Sequence, residues 1–170
     1  LDHFGLMAKD VERRITPRTK AIHVLHYAGY PCDMDAVIEV AARHGLKVIE
    51  DCAHAPGAKF KGKSCGTIGD AGCFSFFSNK NMTTGEGGML TTSKAEDALL
   101  GRKLRWMGNW PFEGERDHYW LPAMGNVAAP MDGQWPYNFC LAEPNAAVGR
   151  SLVRRIDAIN EQRRVQAAHF

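Results

Sequence analysis

Residues 21 to 51 constrain the fold more than any other stretch of this chain. Ala21-Ile-His-Val-Leu-His-Tyr27 is a short, largely apolar run with β-branched residues, the composition of a buried strand. Gly29 and Pro31 then interrupt it. Asp33 is placed to cap a helix, because its carboxylate can accept an unpaired N–H of the first turn. Met34, Val37, Ile38 and Ala41 follow on one helical face, and Gly45 supplies the residue that closes the helix. Leu46-Lys-Val-Ile-Glu-Asp51 reads as a second strand. A strand, a helix and a strand on such short connections build a parallel sheet, so an α/β fold is expected. Ligands of open α/β sheets bind at the carboxyl ends of the strands. Asp51 falls at such an end.

The remainder extends this frame. Pro56, Gly57, Gly62, Gly66, Gly69 and Gly72 make residues 52–72 loop-like, while Cys73–Phe77 and Gly88–Thr92 read as strands. Ser93 with Glu96 matches a capping box, opening a helix that carries Leu99, Leu100 and Leu104 and stops near Gly108. Residues 108–136, rich in Trp, Pro, Gly and Asn, show no clear periodicity, and a loop of that length is expected to be functional, mobile or packed on a partner. From about Leu141 a final helix is expected, with Leu152, Val153, Ile156 and Ile159 as its apolar stripe.

Composition narrows the function classes. The 170 residues suffice for one domain with a substantial core, and 45% hydrophobic with 24% charged content is ordinary for a globular protein. A net charge of +2 gives no reason to expect nucleic acid, and the C-terminal arginines are interleaved with Asp157 and Glu161, as on a solvated or subunit-facing helix. Five widely spaced cysteines without a C-x-x-C pair fit reduced thiols in a cytoplasmic protein. His23, His26 and His44 are not spaced as a metal site, so no metal is expected. No apolar run is long enough to cross a bilayer. The opening at Leu1 reads like the middle of a longer protein.

Chemistry concentrates around Lys80. It lies between the apolar run Cys73-Phe-Ser-Phe-Phe77 and the glycine turn Gly85-Glu-Gly-Gly88, where the backbone can bend sharply and fix one amine in place. A lysine held in this way can attack a carbonyl and form a Schiff base.

Longer motifs sharpen that reading. Val48-Ile-Glu-Asp-Cys-Ala-His-Ala-Pro-Gly-Ala58, Gly66-Thr-Ile-Gly-Asp-Ala-Gly-Cys-Phe-Ser-Phe76 and Lys80-Asn-Met-Thr-Thr-Gly-Glu-Gly-Gly88 occur in this order. Thr16-Pro-Arg-Thr-Lys-Ala-Ile22 and Tyr27-Ala-Gly-Tyr-Pro31 precede them, and Asn138-Phe-Cys-Leu-Ala-Glu-Pro-Asn-Ala-Ala-Val-Gly149 follows the long loop. Together these segments resemble the DegT/DnrJ/EryC1/StrS family of sugar aminotransferases, which use pyridoxal 5′-phosphate (PLP).

The resemblance implies a three-layer α/β fold, the fold-type-I PLP-transferase large domain, with a mainly parallel sheet flanked by helices and incomplete in this chain. Residues 1–140 would be the central part of that domain. Residues 141–170 would begin the long helix leading toward a small C-terminal domain. Lys80 would be the Schiff-base lysine and Asp51 the partner of the pyridinium nitrogen. Ser75 would bond the cofactor phosphate, and His54 would lie beside the ring and its phenolic oxygen. Asn138 would reach across a homodimer interface to the partner subunit's phosphate, making the active site shared. The substrates implied are a keto-sugar, nucleotide-linked, and an amino donor, glutamate. On the residues alone, Asp51 would equally cap the next turn, Ser75 would be an ordinary alternating strand residue, and His54 a satisfied interior histidine. Two alternatives to catalysis stand beside this reading: a PLP-binding regulatory or interaction protein, and an inactive truncated aminotransferase.

Overall fold

The structure is a computed structural model that describes residues 5–108 and 133–169. The chain divides into two compact units, Leu1–Ser93 with Leu141–Phe170, and Lys94–Cys140. The first carries α1 (Ala8–Glu12), β1 (Ala21–Leu25), α2 (Met34–Arg43), β2 (Lys47–Asp51), β3 (Lys59–Phe60), β4 (Lys63–Ser64), β5 (Ala71–Ser75), β6 (Gly88–Thr91), α4 (Glu143–Val153) and α5 (Ile156–Ala167). The second carries α3 (Ala95–Arg105). Its Trp106 and Asn138 form an antiparallel bridge, beside which the Tyr137 and Phe139 rings stack at 4.9 Å. Most of the long loop expected over residues 108–136, namely residues 109–132, lies outside the described residues.

The strand–helix–strand unit forms as its sequence requires. Asp33 accepts the Ala36 N–H at 3.3 Å, capping α2. At the other end Gly45 turns at φ 62°, which lets Leu46 N–H reach the Ala41 carbonyl at 2.9 Å and its own N–H reach Ala42 at 3.3 Å. That pair of bonds satisfies carbonyls the helix would otherwise leave open. Between the caps, Met34, Val37, Val40 and Ala41 share one buried face. They pack on Ile22, Val24 and Val48 to form the main core. Each such aliphatic side chain contributes about 1.5–3 kcal/mol on burial.

The sheet has the order β1-β2-β5-β6, with β1, β2 and β5 parallel and β6 antiparallel to β5. Ala21 pairs with Lys47 and Leu25 with Asp51; Asp51 in turn pairs with Cys73. Side chains alternate across a strand, so this register gives the two faces different contents. Ile22, Val24, Val48, Glu50 and Gly72 are buried on the face that α2 covers. Ala21, His23, Leu25, Lys47 and Cys73 are exposed on the other, with Asp51 and Ser75 partly so.

Three expectations need correction. The stretch 52–72 is not wholly loop, since β3 and β4 form a small antiparallel hairpin. The cap of α3 is Lys94, whose side chain makes no capping hydrogen bond, so Ser93 and Glu96 do not form the capping box. The C-terminal stripe belongs to two helices rather than one. Arg154 ends α4, and Arg155 departs from helical geometry at φ −113°, ψ 4° before α5 starts. Leu152, Val153, Ile156 and Ile159 keep helical spacing across that break, which is why periodicity alone does not reveal it.

Candidate active site

Asp51 ends β2 at the carboxyl edge of the sheet. Its Oδ1 accepts the Ala53 N–H at 2.9 Å, a short turn that fixes the carboxylate against its own backbone. Its Oδ2 lies 3.9 Å from His23 Nε2, and the side chain is 31% exposed. Ser75 ends β5, the neighbouring parallel strand. Because Cys73 is the partner of Asp51, Ser75 stands on the same face, roughly 7 Å further along the strand direction. Its Oγ accepts the Phe77 N–H at 3.4 Å, which leaves the hydroxyl hydrogen to donate elsewhere. Between the two, the Cys73 thiol is exposed by area. Desolvation by the neighbouring strands, and then the Asp51 charge, push its pKa up.

His54 follows Asp51 by three residues and turns back toward the end of β1. Its Nδ1 accepts the Ala28 N–H at 3.4 Å, so Nε2 carries the ring proton and is the donor. The Tyr27 ring meets it edge-on at 5.8 Å. Ala28 holds φ 52°, a left-handed conformation costly for a residue with a Cβ, in the turn that delivers this N–H. A cavity of about 470 Å³ opens beside His54, lined also by Tyr30, Asn81, Asn160, Arg163 and Arg164.

Lys80 sits in a bend just past β5, half-buried, with its N–H on the Phe77 carbonyl at 3.0 Å. Phe77 bridges to Gly85, and Phe76 N–H bonds Gly87 O at 2.8 Å while Thr84 N–H bonds Phe76 O at 2.9 Å. These bonds close residues 76–87 into a compact loop with Lys80 near its middle. Among the described residues the Lys80 ammonium has no ion-pair partner. The loop therefore presents an amine that no carboxylate among the described residues has claimed. The structure thus brings Asp51, His54, Ser75 and the Lys80 loop to one end of one unit, whereas Asn138 belongs to the second unit.

Two residues that matter here are not singled out by the sequence motifs. Glu50 and His26 are fully buried and bonded to each other at 3.0 Å. Glu50 also accepts the N–H groups of Gly66, Ile68 and Gly69, each at 2.7 Å. Burial opposes its ionisation, but the His26 bond and the three backbone donors outweigh that cost and hold the carboxyl below its usual range. His26 Nδ1 accepts the Cys32 N–H at 3.1 Å, so its proton is on Nε2 and directed at Glu50. With Cys52 these side chains form a tight buried trio. Both Glu50 oxygens and both ring nitrogens are already engaged in hydrogen bonds, so the trio is a structural clasp rather than a cation site. A glutamate on the same strand face as the apolar Val48, two residues before it, was the signal available in the sequence.

Comparison with known proteins identifies the family and the fold. The model of the DegT/DnrJ/EryC1/StrS aminotransferase family matches residues 2–170. The GDP-perosamine synthase of Caulobacter vibrioides is 44% identical over 91% of this chain and 38% of its own length. The UDP-N-acetyl-3-dehydro-alpha-D-glucosamine 3-aminotransferase of Acidithiobacillus ferrooxidans is 39% identical over 98% of this chain and 41% of its own. Among solved structures, S. venezuelae DesV in complex with a ketimine intermediate superposes with a TM-score of 0.80 at 37% identity, over 98% of this chain and 41% of that one. The chain thus spans about two fifths of the length of these relatives. With the family model matching nearly every residue, and the parallel sheet ending in Asp51 and the Lys80 loop, the chain belongs to the DegT/DnrJ/EryC1/StrS aminotransferase family.

Proposed function

We propose that this chain supplies the catalytic lysine and most of the cofactor contacts of a PLP-dependent aminotransferase that moves an amino group from glutamate to a nucleotide-linked keto-sugar. The observation that carries the reading is the placement of Asp51 and Ser75 on one face of adjacent parallel strands, followed directly by the closed loop bearing Lys80. When bound, PLP supplies the electron sink that makes a carbon–hydrogen bond next to nitrogen acidic.

The side chains present suit that group. The Asp51 edge not used by Ala53 can face a protonated ring nitrogen and keep it protonated. Ser75 has a hydroxyl hydrogen to offer a phosphate oxygen, and His54 Nε2–H is a donor for the phenolic oxygen. Lys80 carries the amine that would hold the cofactor covalently and, once displaced by the donor's amine, would take a proton from the substrate carbon and return it to the cofactor side. A group moving a proton in this way contributes roughly 10²–10⁴-fold to the rate. Asn138, on the second unit, is assigned to the partner subunit's phosphate in a cytoplasmic homodimer. The names of both curated relatives carry a nucleotide, which supports a nucleotide-linked substrate.

The test is Lys80→Ala in the full-length protein. The expected result is loss of the lysine-dependent visible absorbance on adding PLP and a fall in transamination of roughly 10³-fold or more, with thermal stability unchanged. Intact transamination in that variant would overturn the proposal.

A further inference from the structure

The Lys80 loop is gripped from outside by a helix distant in sequence. The side chain of Asn145, in the first turn of α4, donates through Nδ2 to the Thr84 carbonyl at 2.7 Å and lies 3.4 Å from the Glu86 carbonyl. The Thr84 hydroxyl donates to that same Glu86 carbonyl at 2.7 Å. One turn along α4, Gly149 faces the Thr84 methyl so closely that a Cβ there would lie 2.9 Å from it. Asn145 and Gly149 are four residues apart, so one face of α4 holds Thr84 at two points. Gly87 completes the fit at φ 151°, since a Cβ there would lie 2.6 Å from Thr84 Oγ1 and 2.9 Å from Leu141. Thr84 is accordingly buried, as are Met82 and Phe76 on either side of the loop.

We infer that Asn145 is a positioning residue for Lys80, acting through the Thr84–Glu86 carbonyls, and this rests on the assignment of Lys80 given above. The loop's own bonds close it at Phe76–Gly87 and Phe77–Gly85, at the end of the β5–β6 ladder where Ser75 pairs with Gly88. The carboxamide adds an anchor at Thr84 and Glu86, because it offers two N–H hydrogens to two carbonyls that converge on it. A carboxylate of the same shape would set lone pairs against those carbonyls. The amine of Lys80 hangs four residues from this anchor, and catalysis is sensitive to misplacement on the order of 1 Å.

The test compares Asn145→Asp and Asn145→Gln with the parent in the full-length protein. Amide hydrogen exchange in the absence of PLP reads the clamp directly. In Asn145→Asp the amides of Phe76 and Thr84 should exchange at least tenfold faster, with those of α2 and β1 unchanged. The Lys80-dependent absorbance should then need at least tenfold more PLP to saturate, and kcat should fall at least tenfold with KM for the sugar little changed. Asn145→Gln, which keeps the donor, should recover part of each effect. Exchange and PLP saturation both equal to the parent in Asn145→Asp would overturn the positioning role while leaving the Lys80 assignment standing. Faster exchange with unchanged PLP saturation and kcat would also overturn it, reducing Asn145 to a packing residue. A parent protein with no Lys80-dependent absorbance would instead remove the Lys80 assignment, and the positioning role with it.

Discussion

Glu50 and Asp51 are consecutive carboxylates on one strand, and they have opposite lives. Glu50 points into the face covered by α2, is fully buried, and receives four N–H donors from two separate segments. Asp51 points to the other face, at the strand end, and receives one donor from its own turn. Alternation along a strand alone produces this division. The buried carboxylate can afford no free lone pair, since an unpaired charge inside a protein is strongly destabilising. The strand-end carboxylate keeps an edge available, which is what a binding role requires. The same sheet therefore commits its buried carboxylate to stability and leaves the strand-end carboxylate on the other face with an edge open.

Glu50→Gln should produce the largest loss of stability, about 1–3 kcal/mol for the buried donors it leaves unpaired, measured as a shift in the denaturation midpoint. An amide there would present its own N–H groups to backbone N–H groups. The pH dependence sharpens the point. Because the folded carboxyl is held low while the unfolded chain takes up its proton near pH ~4.3, the contribution is complete above that value. It is lost as pH falls below ~4.3 toward the folded pKa, and Glu50→Gln should flatten that acid limb. An acid limb of equal slope in parent and variant would break the comparison.

Asp51→Asn should act on the other side of it. We expect turnover to fall by roughly 10²–10³-fold, as for removal of a preorganised electrostatic partner, with stability changed by less than about 1 kcal/mol. A stability loss matching that of Glu50→Gln would show that the two faces are not separated in this way. His23→Ala removes a ring 61% exposed and 3.9 Å from Asp51. Its effect on stability should be the smallest, within about 0.5 kcal/mol, read by the same denaturation curves.

Much of this frame is legible before any coordinates. The α2 caps, Asp33 and Gly45, act through residues at most five positions away, so the sequence contains both partners of each bond. The strand-end positions of Asp51 and Ser75 follow from the same local logic, whereas the roles expected of them and of Lys80 rest on the family resemblance. The break at Arg154 and Arg155 is different. The apolar stripe continues through it, and what seats α5 is Asn160 donating to Pro56 O at 2.9 Å, with Gly57 at φ 83° leaving room for the side chain. Those partners are separated by more than a hundred residues, and no periodicity reports them.

The sequence by itself determined the parallel strand–helix–strand frame and the position of Asp51 at a strand end. Helical spacing and capping are set by near neighbours, whereas the exposed second face of β1, which the sequence reads as a buried strand, appears only in the structure. Only the tertiary structure decided that Glu50 clasps His26 and the Gly66–Gly69 turn, and that Asn145 anchors the Lys80 loop through Thr84. Those bonds join groups far apart along the chain, and packing of the core, not local preference, selects which distant donor meets which buried acceptor.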